Sequence, residues 1–157
     1  MVPQEIYRTG MPALSCGVQW REGLEACLDG QLDLHAGPLM SHDEIVDSVA
    51  GKQALWQASS ACAVDMESAA IAEVAAQANV AFLVVRAISD PAHMALPALA
   101  KEAVSTNGTT HRMGIAKSLL RQPGQIRELP ALARQTKLAT RALEKLARLA
   151  GPGFGFS

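Results

Sequence analysis

Aromatic residues are scarce in this chain: three Phe, two Trp and one Tyr make up 4% of its 157 residues. Proteins that grip single-stranded nucleic acid stack bases on such rings, so the composition speaks against a nucleic-acid partner. Cysteine is sparse too. Cys16, Cys27 and Cys62 are an odd number with no C-x-x-C spacing, which indicates neither a disulfide framework nor a zinc site. Reduced thiols, mostly packed, are expected, with Cys62 as a small core residue rather than a nucleophile. His35, His42, His93 and His111 form no metal-ligand spacing with Cys, Asp or Glu, so no metal is expected. Long apolar runs are missing as well. The longest, Val-Ala-Phe-Leu-Val-Val at residues 80–85, falls far short of the roughly 20 residues of a membrane span. The opening Met-Val-Pro-Gln-Glu has neither the basic start nor the apolar segment of a signal peptide, and a cytoplasmic location is expected.

What is present describes one folded domain. Hydrophobic residues make up 49% of the chain and charged ones 18%, a balance unlike that of disordered segments. At this length a domain buries roughly 70% of the surface its unfolded chain exposes. The net charge of −1 conceals a polar distribution: 5 basic and 13 acidic residues precede His111, and 9 basic and 2 acidic follow it, so the halves carry −8 and +7. Such a contrast suits either an anionic partner for the second half or mutual attraction of the two parts.

Residues 2–7 read as a short extended segment that Pro3 confines to a strand start or an edge. Trp20, Leu24, Cys27 and Leu28 recur at helical spacing and predict a helix at about 18–29. Residues 32–39 read as a strand interrupted by Gly37-Pro38, and 41–48 as polar loop. Ser48 is a suitable N-cap for a helix over 49–58. Residues 61–64, Ala-Cys-Ala-Val, have the form of a buried parallel strand ended by Asp65. The helix that follows carries Ile71, Val74, Ala75 and Ala78 on one face, expected to be the packed one, with Glu73 and Gln77 turned away and Asn79 as its stop. Residues 80–87 read as a second buried strand. Strand, helix, strand with short links is a βαβ unit of a parallel sheet, whose ligand sites lie beyond the carboxyl ends of the strands. That rule puts Asp65, Met66 and Glu67 on one rim with Ser89 and Asp90. Residues 91–110 read as loop with a helical piece near 97–104, residues 113–120 as a helix, and a long helix follows Pro123-Gly124 to about Leu149. The closing Gly-Pro-Gly-Phe-Gly-Phe-Ser is expected to fray.

Two carboxylates at strand ends, Glu67 and Asp90, are functional candidates, since one can orient a polyol by accepting hydrogen bonds while the other delivers a proton. The same residue type also caps helices, which is the default role for Asp65 and an equal alternative for Glu67. The residues then become specific in combination. Ala63-Val-Asp-Met-Glu-Ser-Ala-Ala-Ile-Ala72, followed after one helix by Phe82-Leu-Val-Val-Arg-Ala-Ile-Ser-Asp90, resembles the C-terminal half of the purine nucleoside phosphorylase and uridine phosphorylase superfamily, which includes the methylthioadenosine/S-adenosylhomocysteine nucleosidases. Asp90-Pro-Ala, Ala95-Leu-Pro97 and Leu120-Arg-Gln-Pro-Gly-Gln125 are similar to the hopanoid-associated phosphorylase branch. The resemblance covers nearly all of residues 1–149. It implies an α/β fold, part of a three-layer αβα domain with a mixed, mostly parallel sheet over 1–122, a basic helix over 123–150 packed on it, and a disordered tail at 151–157.

The resemblance further implies cleavage of the N-glycosidic bond of an adenine nucleoside, with adenosylhopane as the specific substrate and methylthioadenosine or S-adenosylhomocysteine as the alternative. Met66 is similar to the residue that packs on the ribose and Glu67 to the one that accepts from its hydroxyls, and Asp65 beside them is counted with them among the substrate-binding candidates. Asp90 resembles the acid that protonates the departing purine. Such an acid is expected in a desolvated setting that keeps its proton, with Ser89 orienting it. His42, in the polar Ser41-His-Asp-Glu44 stretch, is a candidate base contact whose default role is that of an exposed loop residue. Arg86 reads as the structural partner of a carboxylate. No cofactor is implied, and inorganic phosphate is a co-substrate only for phosphorolysis, which stays open beside hydrolysis. The family's opening strands and glycine-rich loop have no counterpart before residue 7, so exposed strand edges are expected, with a homo-oligomer or a complementing N-terminal half as partner. A third reading, of another class, is a non-catalytic fragment that only binds partners or oligomerises.

Arg127, Arg134, Arg141 and Arg148 repeat every seven residues with Lys137 and Lys145 beside them, while Ile126, Leu129, Ala133, Leu143 and Leu146 fall largely on another face. A solvated face over a packed one is the default. The alternative is a helix lying peripherally on the anionic inner membrane, where a nucleoside-lipid substrate would be found.

Overall fold

The computed structural model describes residues 1–28, 30–97 and 129–156. Its element order is β1 (Glu5–Tyr7), β2 (Leu14–Ser15), α1 (Val18–Leu28), β3 (Leu39–Ser41), α2 (Val49–Ser59), β4 (Ala63–Asp65), α3 (Ser68–Gln77) and α4 (Leu129–Ala150). The strands form one mixed sheet in the order β2-β1-β3-β4. β1 pairs antiparallel with β2, and parallel with β3 through Ile6 opposite Leu39. β3 and β4 are parallel, with Ser41 opposite Asp65 at their carboxyl ends. Pro3 sits just before β1, leaving the strand free to take an interior place in the sheet.

Helices cover both faces. On one, Ala69 and Ala72 of α3 pack on Ile6, Leu39, Cys16 and Val84. On the other, Leu24 and Leu28 of α1 meet Leu146 and Ala150 of α4 around Val2. This is the three-layer αβα arrangement with a long C-terminal helix. Local signals hold where they are strongest: Ser48 Oγ accepts from the Gly51 amide at the start of α2, and Asn79 takes a positive φ of 52° just past α3. The expected pieces at 97–104 and 113–120, the turn at 123–124 and the first residues of the long helix lie, Pro97 apart, outside the described residues.

Several expectations are corrected. Residues 80–87 are extended but form no ladder. Phe82 and Val84 face the α3 layer while Leu83 and Val85 face α1 and α4, as a strand buried on both sides requires. The segment makes isolated bonds instead, from the Gly17 amide to the Phe82 carbonyl (2.8 Å) and between Arg86 and Met1. The packed face of α3 is Ser68, Ala69 and Ala72, whereas Ile71 and Val74 are 54% and 65% exposed. Small residues let α3 approach the sheet closely, and the larger apolar ones are left outside. β4 is half-buried because it is the last strand of the described sheet. Residues 32–38 are irregular, and Ser41, expected in a loop, closes β3. Cys16 is buried, but Cys27 and Cys62 are exposed.

Phe154 and Phe156 pack against α1. Trp20 Nε1 donates to the Phe154 carbonyl (2.9 Å), and its ring meets Phe156 edge to face with centroids 5.0 Å apart. Gly155, at φ +78°, presses its carbonyl against Gly23 so closely that a Cβ there would lie 2.3 Å from the oxygen. Glycine on α1 is what lets the tail dock. Leu24, fully buried between α1 and α4, is the test of this layer: Leu24→Ala should lower unfolding free energy by about 2–5 kcal/mol in urea titration, and a loss below about 0.5 kcal/mol would contradict the packing.

Candidate functional site

The parallel register of β3 and β4 ends with Ser41 beside Asp65, and the chemistry of the rim is built on that pair. Ser41 Oγ donates to Asp65 Oδ1 (2.8 Å) and accepts from the Ala69 amide (3.1 Å). The Ser68 amide donates to Asp65 Oδ1 (3.2 Å), and the Ser68 hydroxyl donates to Oδ2. Arg86 Nη2 reaches Oδ2 from residues 80–88 at 2.5 Å. Asp65 therefore caps α3 while its side chain is only 7% exposed. Burial pushes its carboxyl up, but the Ser68 and Ser41 hydroxyls, the Ser68 amide and the Arg86 guanidinium outweigh that and hold it below the ordinary 3.8.

Glu67 touches this network only through Arg86, and Met66 lies outside it. Glu67 is the residue just before α3, yet its side chain makes no cap bond to the helix. Its carboxylate is 63% exposed and touches Arg86 Nη2 at 3.3 Å, and Met66 is 45% exposed. The capping role thus falls to Asp65, and Glu67 is left facing solvent beside a guanidinium. His42 is half-buried at the same rim. Its amide donates to the Asp65 carbonyl (2.7 Å), its Nδ1 lies 3.1 Å from the Glu44 amide, and with Arg8, Thr9, Ser41, Asp43 and Glu44 it lines a hollow of about 240 Å³.

Asp90 lies in a different setting from the one expected. Its Oδ2 accepts from Lys52 Nζ at 2.9 Å, and the carboxylate is 30% exposed while Lys52 is 8% exposed. An ion pair replaces the desolvated, unpaired acid. Asp90 and Lys52 form the polar end of a cavity of about 310 Å³ whose other walls include Leu55, Trp56, Val64 and Ile88, with the Cys62 side chain at its edge. Ser89 is half-buried next to Asp90 in the chain, but the side chain that grips the Asp90 carboxylate is that of Lys52. The cavity that Asp90 lines does not include Glu67. Arg86 is the carboxylate partner that the sequence suggests. Ser41 and Lys52 carry no signal of their own, since each acts through residues distant in the chain, whereas Ser68 acts on Asp65 three residues before it. Among the described residues no group of three or more His, Cys, Asp or Glu could hold a metal ion.

The Asp65 network makes a pH prediction. The folded chain keeps this carboxyl ionised at lower pH than the unfolded chain does, so its stabilisation is complete above about pH 3.8 and is lost as pH falls through the lower folded-state value. Asp65→Asn should cost about 1–3 kcal/mol near neutral pH and flatten the fall in stability below pH 4. An unchanged acid limb would remove Asp65 from that role.

Comparison with known proteins agrees with this architecture. The family model of the phosphorylase superfamily matches residues 3–121. 5′-Methylthioadenosine/S-adenosylhomocysteine nucleosidases of Staphylococcus aureus strains JH9 and Newman are each 40% identical over 89 residues, covering 53% of this chain and 39% of theirs. The chain thus spans about two fifths of the length of those relatives. Among solved structures, an S-adenosylhomocysteine nucleosidase from Streptococcus pyogenes in complex with 5-methylthiotubericidin superposes with a TM-score of 0.53 at 26% identity, over 59% of this chain and 47% of that one. A chain from Borrelia burgdorferi B31, assigned as a nucleosidase of the same kind and bound to adenine, gives 0.50 at 21% identity over 92% and 60%, a likeness of fold alone. With more than half of its residues matched by that family model and its αβα layers shared with these structures, the chain belongs to the phosphorylase superfamily.

Proposed function

We propose that this chain carries the ribose-holding and proton-delivering side of an enzyme that cleaves the N-glycosidic bond of an adenine nucleoside. The observation that carries the reading is the division of labour after β4: Asp65 is consumed in structure, while Met66 and Glu67 stand exposed beyond the carboxyl end of a parallel strand, where ligands of such sheets bind. Glu67 accepts hydrogen bonds from the ribose hydroxyls and Met66 packs against the sugar. In the reaction the bond between the anomeric carbon and the purine nitrogen breaks, and its electron pair leaves with the base. Asp90 supplies the proton that neutralises the base, and water or inorganic phosphate adds to the sugar. Ser89 and His42 belong to the same site as neighbours of the acid and of the base. The domain that does this spans 1–122, with the basic helix of 123–150 docked on it.

The family relatives favour a substrate of the 5′-methylthioadenosine or S-adenosylhomocysteine type. Adenosylhopane is the second reading, and the observation behind it is the exposure of Arg134, Lys137, Arg141, Lys145 and Arg148 along α4, a basic face suited to anionic headgroups. No described helix is long and apolar enough to cross a membrane, so such contact is peripheral. A second copy or a complementing N-terminal half supplies the remaining walls of the site.

With 5′-methylthioadenosine as substrate, Asp90→Asn should reduce turnover by about 10²–10⁴-fold and Glu67→Gln should lower kcat/KM by about 10–100-fold, both read by adenine release with and without phosphate. Wild-type rates in both variants would remove these residues from the mechanism. For the second reading, replacing Arg134, Arg141 and Arg148 by Glu should abolish co-flotation with anionic vesicles. Equal flotation of both proteins, or none by either, would dismiss the membrane.

A further inference from the structure

Lys52 is a buried cation with no place in the reaction outlined above. It sits in the second turn of α2, and its side chain is only 8% exposed. Burying an ammonium is unfavourable unless its donors are all engaged, and here four oxygens surround it. Nζ donates to Asp90 Oδ2 at 2.9 Å, to the Asp90 carbonyl at 3.0 Å, to the Pro91 carbonyl at 3.3 Å and to the Met94 carbonyl at 2.9 Å. All four acceptors belong to one short turn. That turn is closed by the Met94 amide on the Pro91 carbonyl (2.9 Å) and tied a second time to the start of α2 by the Leu96 amide on the Asp47 carbonyl (2.8 Å). Among the described residues no second Lys, Arg or His nitrogen lies within 4.0 Å of the Asp90 carboxylate. Among the described residues the acid is therefore held by one cation, while the backbone that carries it is also tied by the Leu96 amide.

We propose that Lys52 is the positioning residue of Asp90: it clamps Oδ2 and the carbonyls of the 90–94 turn, which fixes the carboxyl at the rim and leaves Oδ1 as the oxygen that serves the purine. The inference rests on the role given to Asp90 under the proposed function and goes beyond it. Lys52 touches neither sugar nor base; it acts through Asp90.

The test compares the full-length wild-type chain with Lys52→Met, Lys52→Gln, Lys52→Arg and Asp90→Asn, using 5′-methylthioadenosine as the probe and thermal unfolding as the folding control. Lys52→Met should lower kcat by about tenfold or more while KM changes by less than about threefold. Lys52→Arg, which restores a cation and several donors, should recover most of the rate. Should Lys52→Met fail to fold, Lys52→Gln, which keeps a donor without the charge, must show the same loss of kcat at nearly constant KM. A folded neutral variant with wild-type kcat, or one whose loss Lys52→Arg does not recover, assigns Lys52 to structure alone and overturns the proposal. If the wild-type chain cleaves, Asp90→Asn does not, and the Lys52 variants match wild type, this inference fails and the proposed function stands. If Asp90→Asn matches wild type, or the wild-type chain is inert, the reading of Asp90 fails and takes the inference with it.

Discussion

The buried carboxylate of Asp65 is the constraint on which the rim of this molecule depends. It lies at the end of β4, yet its partners come from β3, α3 and residues 80–88. Two serine hydroxyls, a helix amide and a guanidinium satisfy both oxygens, which is what allows a charge to sit at 7% exposure. The consequence for function is one of geometry. With Asp65 locked, the residues that follow it emerge from the sheet in a fixed direction, and the Met66-Glu67 pair is presented to solvent rather than drawn into the core. Arg86 extends the constraint, since the same Nη2 that grips Asp65 also touches Glu67 and so ties the sugar-holding candidate to the buried network.

A second buried charge organises the other end of the rim. Lys52 ties α2 to the turn that carries Asp90, and the two ends differ in kind: a carboxylate satisfied by hydroxyls and a guanidinium at one, an ammonium satisfied mainly by carbonyls at the other. Neither group has a useful pairing until the chain is folded, so both report on assembly of the site as well as on stability. Between them the parallel strands supply only direction. The exposed side chains beyond these strands come from loops and helix starts, as is usual where a rigid sheet positions variable residues.

The sequence made part of this visible. Ser48 and Asn79 mark the start of α2 and the end of α3 because caps are local, depending on a few backbone angles and one side chain. The alternation through Phe82, Leu83, Val84 and Val85 shows as two-sided burial, yet pattern alone does not reveal whether a neighbouring strand is there to pair with, and here no ladder forms. The packed face of α3 departs from its pattern for a related reason. Periodicity finds the stripe of large residues, Ile71 and Val74, whereas the sheet selects the small residues that allow close approach, Ala69 and Ala72. The motif around Glu67 and Asp90 identified the family, but Lys52 was illegible: a lone lysine in a helix has no signature, and its partner lies 38 residues away. The docked tail was hidden in the same way, because the glycines that suggest fraying are the ones that let Gly155 approach Gly23.

The central claim is that Glu67 and Asp90 face one nucleoside, although Glu67 does not line the cavity that Asp90 lines. The most direct measurement is a crystal structure of the chain, with whatever partner copy it assembles with, in complex with an adenine nucleoside analogue whose glycosidic bond cannot break. The account predicts ribose hydroxyls within about 3 Å of the Glu67 carboxylate and a purine ring nitrogen within the same distance of Asp90, whose other oxygen stays on Lys52. A nucleoside seated elsewhere, or one that touches neither carboxylate, would contradict it.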